Sequence, residues 1–297
     1  MTTYDFVAAN KRKTVLLIVL FLSFIMGLGW LIDNAYGAGG GFMVIAAGYS
    51  TVTALVSYFS GDKIALFTTG AKPVTEAENP YLVRMVQNLC IACGTPVPKV
   101  YIIDDPAINA FATGRDPNHA SIAVTTGAIQ KLANEELEGV LAHELSHIRN
   151  YDIRVMTIVI VLVGTVTVLS DLMFRSSFRI GRRSGDRDRG GGALMIIGLI
   201  LIILSPVIAQ LIKLAVSRKR EFLADASGAL LTRFPEGLAR ALRKIAAENR
   251  PMARASASTA HLFIANPFSG RALAAMFSTH PPIEARIDAL NRMSSPT

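Results

Sequence analysis

Four apolar stretches, residues 14–32, 42–60, 153–174 and 193–216, decide what this chain can become. Each, as a helix, is long enough to cross a hydrocarbon core of about 30 Å. Inside lipid every backbone polar group needs an internal partner, so such stretches fold as helices. Pro206, in the fourth, is tolerated where neighbouring helices cover the freed carbonyl. Lys11, Arg12 and Lys13 precede the first stretch, and Lys63 and Lys72 follow the second, while the loop 33–41 has no Lys or Arg. That bias puts the N-terminal segment in the cytoplasm, the short loop outside and the return end in the cytoplasm. The first stretch is longer than a signal-peptide core and a second follows it. It reads as an uncleaved anchor despite the small residues at 35–38.

The second pair is less simple. Between stretches three and four lie six arginines, at 175, 179, 182, 183, 187 and 189, against Asp186 and Asp188. If both stretches cross, this loop lies outside, against the positive-inside bias. Either the early spans dominate orientation, or the second hairpin enters the membrane only partway.

Apolar residues make up 51% of the chain and charged residues 18%, with mean hydropathy +0.41. This is a mixed composition, several spans plus a water-facing part with its own core. The net charge of +8 sits in basic residues bordering apolar segments, which suits anionic lipid and comes with no nucleic-acid motif. The chain divides as 1–60, a first helical pair; 61–152, a first globular part; 153–216, a second hydrophobic hairpin; and 217–297, a second globular part. Cys90 and Cys93 are spaced CxxC but lack the second pair of a metal knuckle. They read as small residues on a helix face in a reducing compartment.

Within 61–152, residues 79–93 have helical periodicity, with Tyr81, Leu82, Met85, Val86, Leu89 and Cys93 on one face. Residues 99–103, 109–113 and 121–125 read as strands, the last two flanking the polar turn 115–118. A helix starts near Asn134 with Glu135, Glu136 and Glu138 at its N-terminal end, where the dipole favours acids. Beyond the hairpin, 221–247 is helical with an interruption near Pro235, 250–260 is a Ser/Ala-rich loop, and 283–293 is an amphipathic helix.

The helix from Asn134 carries His143-Glu-Leu-Ser-His147, an HExxH motif. On a helix the two histidines project from one face, one turn apart. Two such imidazoles can grip a zinc ion, and Glu144 can take a proton from water activated there. A catalytic zinc needs a third protein ligand. The metzincin extension would require Gly at 150 and His at 153, and Asn150 and Ile153 exclude it. Glu221 is the leading alternative. By spacing alone it is equally a juxtamembrane acid paired with Arg218 or Arg220. Asp225, one turn on, could accept the outer ring N–H of a ligating histidine. Stretches three and four separate HExxH from Glu221, and either two crossings or a partial hairpin returns the chain to the same side.

Asn109 to Gly114 (NAFATG), 143–147 (HELSH), 221–225 (EFLAD) and 278–282 (STHPP), in that order, resemble the HtpX family almost end to end. These are bacterial inner-membrane zinc endopeptidases related to the CaaX prenyl proteases. The resemblance implies a mainly α membrane protein of four hydrophobic helices with a cytoplasmic α+β zincin-like domain and a small β-sheet. It implies one zinc ion per chain, held by His143, His147 and Glu221. It also implies a cytoplasm-facing site and a quality-control role against damaged or misfolded membrane proteins.

Hydrolysis also needs a second stabiliser for the oxyanion. His280 is the candidate, with Arg286 as a supporting or substrate-orienting charge, and the resemblance points to the same pair. The expected peptide partner is the strand 121–125, with Ser121 and Ala123 pairing to substrate backbone and Asn109 and Thr113 orienting it. An ordinary hairpin is the equal alternative. His119 and His261 have no partner pattern and read as solvent-exposed or helix-face residues. Two rival classes remain: a metal transporter, disfavoured because ionisable residues such as Asp171 and Lys213 lie only near the ends of stretches, and a membrane scaffold with an incidental HExxH. Oligomeric state is not encoded in these features.

Overall fold

Two long helices begin the fold. α1 (Thr3–Tyr36) and α2 (Gly41–Thr69) are joined by a tight turn in which Gly39 and Gly40 take φ of 62° and 98°, a region favouring glycine. The structure, a computed structural model, describes residues 3–37, 39–183, 218–248, 250–254, 256, 258–268 and 281–294. After α2 come β1 (Lys72–Pro73), α3 (Pro80–Cys93), β2 (Lys99–Ile103), β3 (Ala110–Gly114), β4 (Ala120–Thr125) and α4 (Thr126–Lys131). Then follow α5 (Asn134–Arg149), α6 (Asp152–Arg183), α7 (Arg218–Thr232), α8 (Pro235–Glu248) and α9 (Ile283–Ser294).

Among the described residues, three helices are long and apolar enough to span a membrane, over Val7–Asn34, Gly41–Thr69 and Asp152–Leu169. The expected fourth span, 193–216, lies outside the described residues. The three differ in exposure. The apolar window of α6 is 67% buried, against 28% and 22% for those of α1 and α2. α6 is therefore the inner helix, and α1 and α2 turn Val15, Val19, Val44, Val52 and Leu55 outward as a lipid-facing surface. At Gly61 a Cβ would stand 2.7 Å from Cγ2 of Thr157, so glycine lets α2 lie directly on α6. α2 runs past residue 60 to Thr69, carrying Ala65 and Leu66 into contact with the sheet.

The sheet has the order β1-β2-β4-β3, with β2 and β4 parallel and the other pairs antiparallel. β3 and β4 are buried along their whole length because both faces are covered. Ala110, Ala112, Ile122 and Val124 join a core with Leu82, Val86, Leu141 and Leu242. Phe111 and Ala123 face the other way, onto Ala65, Met156, Ile160 and Phe263. Phe111 and Phe263 meet edge to face at 5.1 Å. One apolar seam thus joins the globular part to the membrane helices.

This order corrects one expectation. Residues 121–125 do not form an edge, because β4 is hydrogen-bonded on both sides, so Ser121 and Ala123 have no free backbone groups for a peptide. The outer strand is β3. Its odd positions turn to β4, as where Thr125 N–H donates to the Asn109 carbonyl at 3.0 Å, so its even positions face outward.

Local sequence explains the helix ends near the site. The Asn79 side chain caps α3 by accepting from Leu82 N–H at 3.0 Å, with Pro80 at the first helical position and Gly94 (φ 67°) ending it. In α5, Glu136 reaches back to Ala133 N–H at 2.7 Å. Tyr151, at φ 60°, breaks α5 from α6. A side chain in that region carries a cost, and here it redirects the chain so that Asp152 opens α6 beneath His147.

Candidate metal centre

α5 is buried on nearly all sides, and glycines let its neighbours come close. A Cβ on Gly228 of α7 would lie 2.9 Å from the His143 backbone nitrogen, and one on Gly139 would lie 2.7 Å from the Leu238 nitrogen of α8. Glu221, Asp225 and Gly228 share one face of α7 at helical spacing. The close contact at Gly228 therefore sets both carboxylates against the HExxH helix.

The histidine rings stand edge to face, centroids 4.7 Å apart, with their Nε2 atoms separated by 3.2 Å. Glu221 Oε1 is 3.6 Å from His147 Nε2, and Oε2 is 3.8 Å from His143 Nε2. One donor atom from each residue falls within a 4.8 Å group, and all three residues are buried. Ligands about 2.0–2.1 Å from a tetrahedral ion stand roughly 3.3 Å from one another. The observed separations fit one cation.

Both outer ring nitrogens are held by carboxylates. His143 Nδ1 donates to Asp225 Oδ1 at 2.9 Å, and His147 Nδ1 donates to Asp152 Oδ2 at 3.0 Å. In a neutral imidazole these bonds place the proton on Nδ1 and leave the Nε2 lone pair on the Glu221 side. Asp225 is clasped in turn by Arg286, whose Nη2 and Nε reach its two oxygens at 2.7 and 2.8 Å.

The electrostatics match a cation site. Burial, aided by the Arg286 charge, pushes His143 down to about 4, so it is neutral at pH 7 despite Asp225. Burial would also lower His147, but Glu221, Asp152 and Glu144 outweigh it and raise that imidazole to about 9. The pocket has an excess of negative charge that a metal would offset. Burial opposes ionisation of Asp225, yet Arg286 and His143 prevail and hold it at about 2. Glu144 is 2% exposed, and burial first, then Glu221, pushes its carboxyl up to about 7. It accepts from the Ala112 N–H, an outward-facing group of β3.

The remaining expected residues fall in different places. His280 lies outside the described residues. Arg286 is fully buried and also donates to the Ile264 carbonyl at 3.1 Å. It stands behind His143, not at a surface where a peptide could reach it. Thr113 turns toward the membrane helices, its hydroxyl 2.8 Å from that of Thr157. The Asn109 amide holds Ala265, donating to its carbonyl at 3.1 Å and accepting from its N–H at 3.3 Å. His119 is half-exposed on Asp116. His261 is buried, with Nε2 3.0 Å from the Met156 carbonyl, which excludes the solvent-exposed one of its two expected settings. Cys90 is buried and Cys93 partly so, both as free thiols.

Sequence reasoning missed Asp152. It lies five residues after His147, across a helix break, where no helical spacing predicts a contact. The only available signal was an acid at the head of an apolar stretch.

The sequence model of Peptidase family M48 matches residues 76–294. The chain belongs to this family. As an M48 peptidase it is a membrane metalloprotease, a hydrolase whose metal-facing cluster is His143, His147 and Glu221. Among curated relatives, a "Protease HtpX homolog" of Tropheryma whipplei (strain TW08/27) is 45% identical over 296 residues, covering 98% of this chain and 99% of the relative. Another "Protease HtpX homolog", of Dictyoglomus turgidum, is 44% identical over 292 residues, covering 98% and 95%. Among solved structures, S. mikatae Ste24p superposes with TM-score 0.51 at 18% identity, over 97% of this chain and 67% of that one. That last likeness concerns the fold. The M48 match begins after α1 and α2, so the first two membrane helices lie outside the segment that defines the family.

Proposed function

We propose that this M48 peptidase is a zinc endopeptidase of a bacterial inner membrane, with its site facing the cytoplasm and damaged or misfolded membrane proteins as substrates. The observation that carries the reading is the buried group of His143, His147 and Glu221, spaced for one tetrahedral cation. Two imidazoles and a carboxylate with an open fourth position are a typical catalytic zinc set. Zinc bound there supplies a Lewis acid that polarises the scissile carbonyl and makes water acidic enough to lose a proton near neutral pH.

The protein's own groups do the rest. Glu144, raised to about 7, takes the proton of the attacking water and passes it to the leaving amine. Asp225 and Asp152 keep both imidazoles oriented. Arg286 keeps Asp225 ionised and in register. In this reading His280 donates to the oxyanion. The extended peptide lies beside Ala112 of β3, next to Glu144, because the Ala110 carbonyl and the Gly114 N–H of that edge are held by Ile264 and Thr157. Edge pairing engages backbone more than side chains, so broad sequence tolerance follows, as quality control requires. The absence of Lys and Arg from loop 33–41 supports the cytoplasmic orientation.

Glu144→Gln should keep zinc at one per chain while cleavage of a casein-like substrate disappears. Cleavage by that variant at the wild-type rate would end the mechanism. A cysteine placed at Gly37 should label with an impermeant reagent from outside the cell, and labelling only after the cytoplasm is opened would reverse the orientation.

A further inference from the structure

The outer ring of the metal centre does not end at Asp152. Asn10, near the start of α1 and just before Lys11, Arg12 and Lys13 at the rim of its apolar stretch, is 2% exposed. Its amide nitrogen donates to Asp152 Oδ1 at 2.7 Å and to the Asn150 carbonyl at 2.8 Å. Its amide oxygen accepts from Arg220 Nη1 at 2.7 Å. Arg220 also donates to Asp152 Oδ1 at 2.8 Å. Both donors and the acceptor of one amide are thus used. Turned the other way, its oxygen would face two acceptors and its NH₂ a guanidinium.

Asp152 is correspondingly saturated. Oδ2 takes the His147 N–H, while Oδ1 takes Asn10 and Arg220. Four elements meet at this carboxylate: α1 through Asn10, α5 through His147, α6 as its own first residue, and α7 through Arg220. A buried polar side chain is costly unless it is hydrogen-bonded, and here one of its bonds is to the carboxylate that holds His147.

We propose that Asn10 is a positioning residue for the metal centre, fixing Asp152 and through it the His147 imidazole, so that the first membrane helix is part of the proteolytic machinery. This rests on the reading of His147 as a metal ligand. Partners that orient a metal-bound histidine commonly change metal affinity 10- to 100-fold when removed. Asn10 stands one step further out, so the lower end of that range applies. Geometry explains the choice of amide. A carboxylate at 10 would set a like charge against Asp152, and an apolar residue would leave Asp152 and the Asn150 carbonyl each short of a donor.

The test uses the full chain in detergent. Zinc dissociation constants come from chelator competition, ligand geometry from the visible spectrum of the cobalt-loaded protein, and kcat and KM from a fluorogenic peptide. Asn10→Ala is expected to raise the zinc dissociation constant about tenfold, shift the cobalt bands, and lower kcat with KM unchanged. Thr14→Val, one turn along α1, removes a hydroxyl that donates to the Asn10 backbone carbonyl at 3.0 Å but leaves the partners of the Asn10 amide in place, and should match wild type in all three. Wild-type zinc affinity together with an unshifted cobalt spectrum in Asn10→Ala would overturn the proposal. If Asn10→Ala shows no cooperative melt, Asn10→Ser, which keeps one donor, is judged by the same criteria. His147→Ala separates the two levels. Undiminished zinc binding there removes the ligand reading itself, whereas lost binding there with intact binding in Asn10→Ala removes only the role of Asn10.

Discussion

Arg286 and Asp225 form a two-pronged ion pair, Nη2 to Oδ1 at 2.7 Å and Nε to Oδ2 at 2.8 Å, buried directly behind His143. The arginine comes from α9 and the aspartate from α7, so the pair also locks two helices across the metal site. Removing one partner leaves a charge buried without compensation, which costs about 3–5 kcal/mol. Arg286→Met should destabilise the metal-free protein by up to about that amount in a chemical melt, leaving Asp225 with only its bond to His143. A midpoint equal to wild type would show that the pair carries no such load. Arg286→Lys keeps the charge but loses the fork, and should fall between the two.

Gly228 makes a second prediction. The space beside it is filled by the backbone of α5 at His143, which cannot move aside as a side-chain tip could. Gly228→Ala should push α7 outward, cost about 1–3 kcal/mol as an overpacked contact, and weaken zinc binding, because Glu221 and Asp225 ride on the same face. Ala226→Ser, on a neighbouring position of α7, is the control. Equal zinc affinity in wild type and Gly228→Ala would show that the helix spacing does not set the site.

The pH dependence of metal uptake has a definite sign. With His147 raised to about 9, a proton occupies its imidazole throughout the neutral range and must leave when a cation binds. Affinity should therefore rise with pH and level off above about 9, by about tenfold per pH unit below that point. Chelator competition at pH 6.5, 7.5 and 8.5 measures the slope. A flat profile would mean that no proton is displaced.

The CxxC pair should behave as packing, not redox chemistry. Burial raises the Cys90 thiol to about 11, so its thiolate is scarce at pH 8 and grows about tenfold per pH unit up to that value. Iodoacetamide at pH 8 should modify Cys93, the more accessible thiol, well before Cys90. Comparable rates on the folded protein would contradict the buried environment of Cys90.

Much of the site was legible because its chemistry is local. His143, Glu144 and His147 lie in five consecutive residues on a helix with a clear acidic start. Glu221 was ambiguous by spacing, since an acid beside Arg218 and Arg220 reads equally as a surface pair, and the family resemblance tipped it. Asp225 as the partner of a ring N–H follows from one helical turn. What could not be read is what tertiary order decides. Residues 121–125, Ser-Ile-Ala-Val-Thr, suit an edge or an interior strand equally, and only the parallel pairing with β2 makes them interior. Asp152 and Asn10 are separated by 142 positions and sit at the rims of apolar stretches, where a polar residue looks like a boundary marker. Arg286, six residues after His280, reads as a supporting or substrate-orienting charge, and its complete burial is a fact of packing.

The hydrogen-bonded ring around the histidines draws on residue 10 at one extreme and residue 286 at the other. During translation the HExxH helix leaves the ribosome long before Arg286 is polymerised. The growing chain therefore has both histidines early but lacks Glu221, Asp225 and the arginine that secures it. The metal-facing cluster of this hydrolase, with the arginine behind it, is thus complete only when nearly the whole chain has been made.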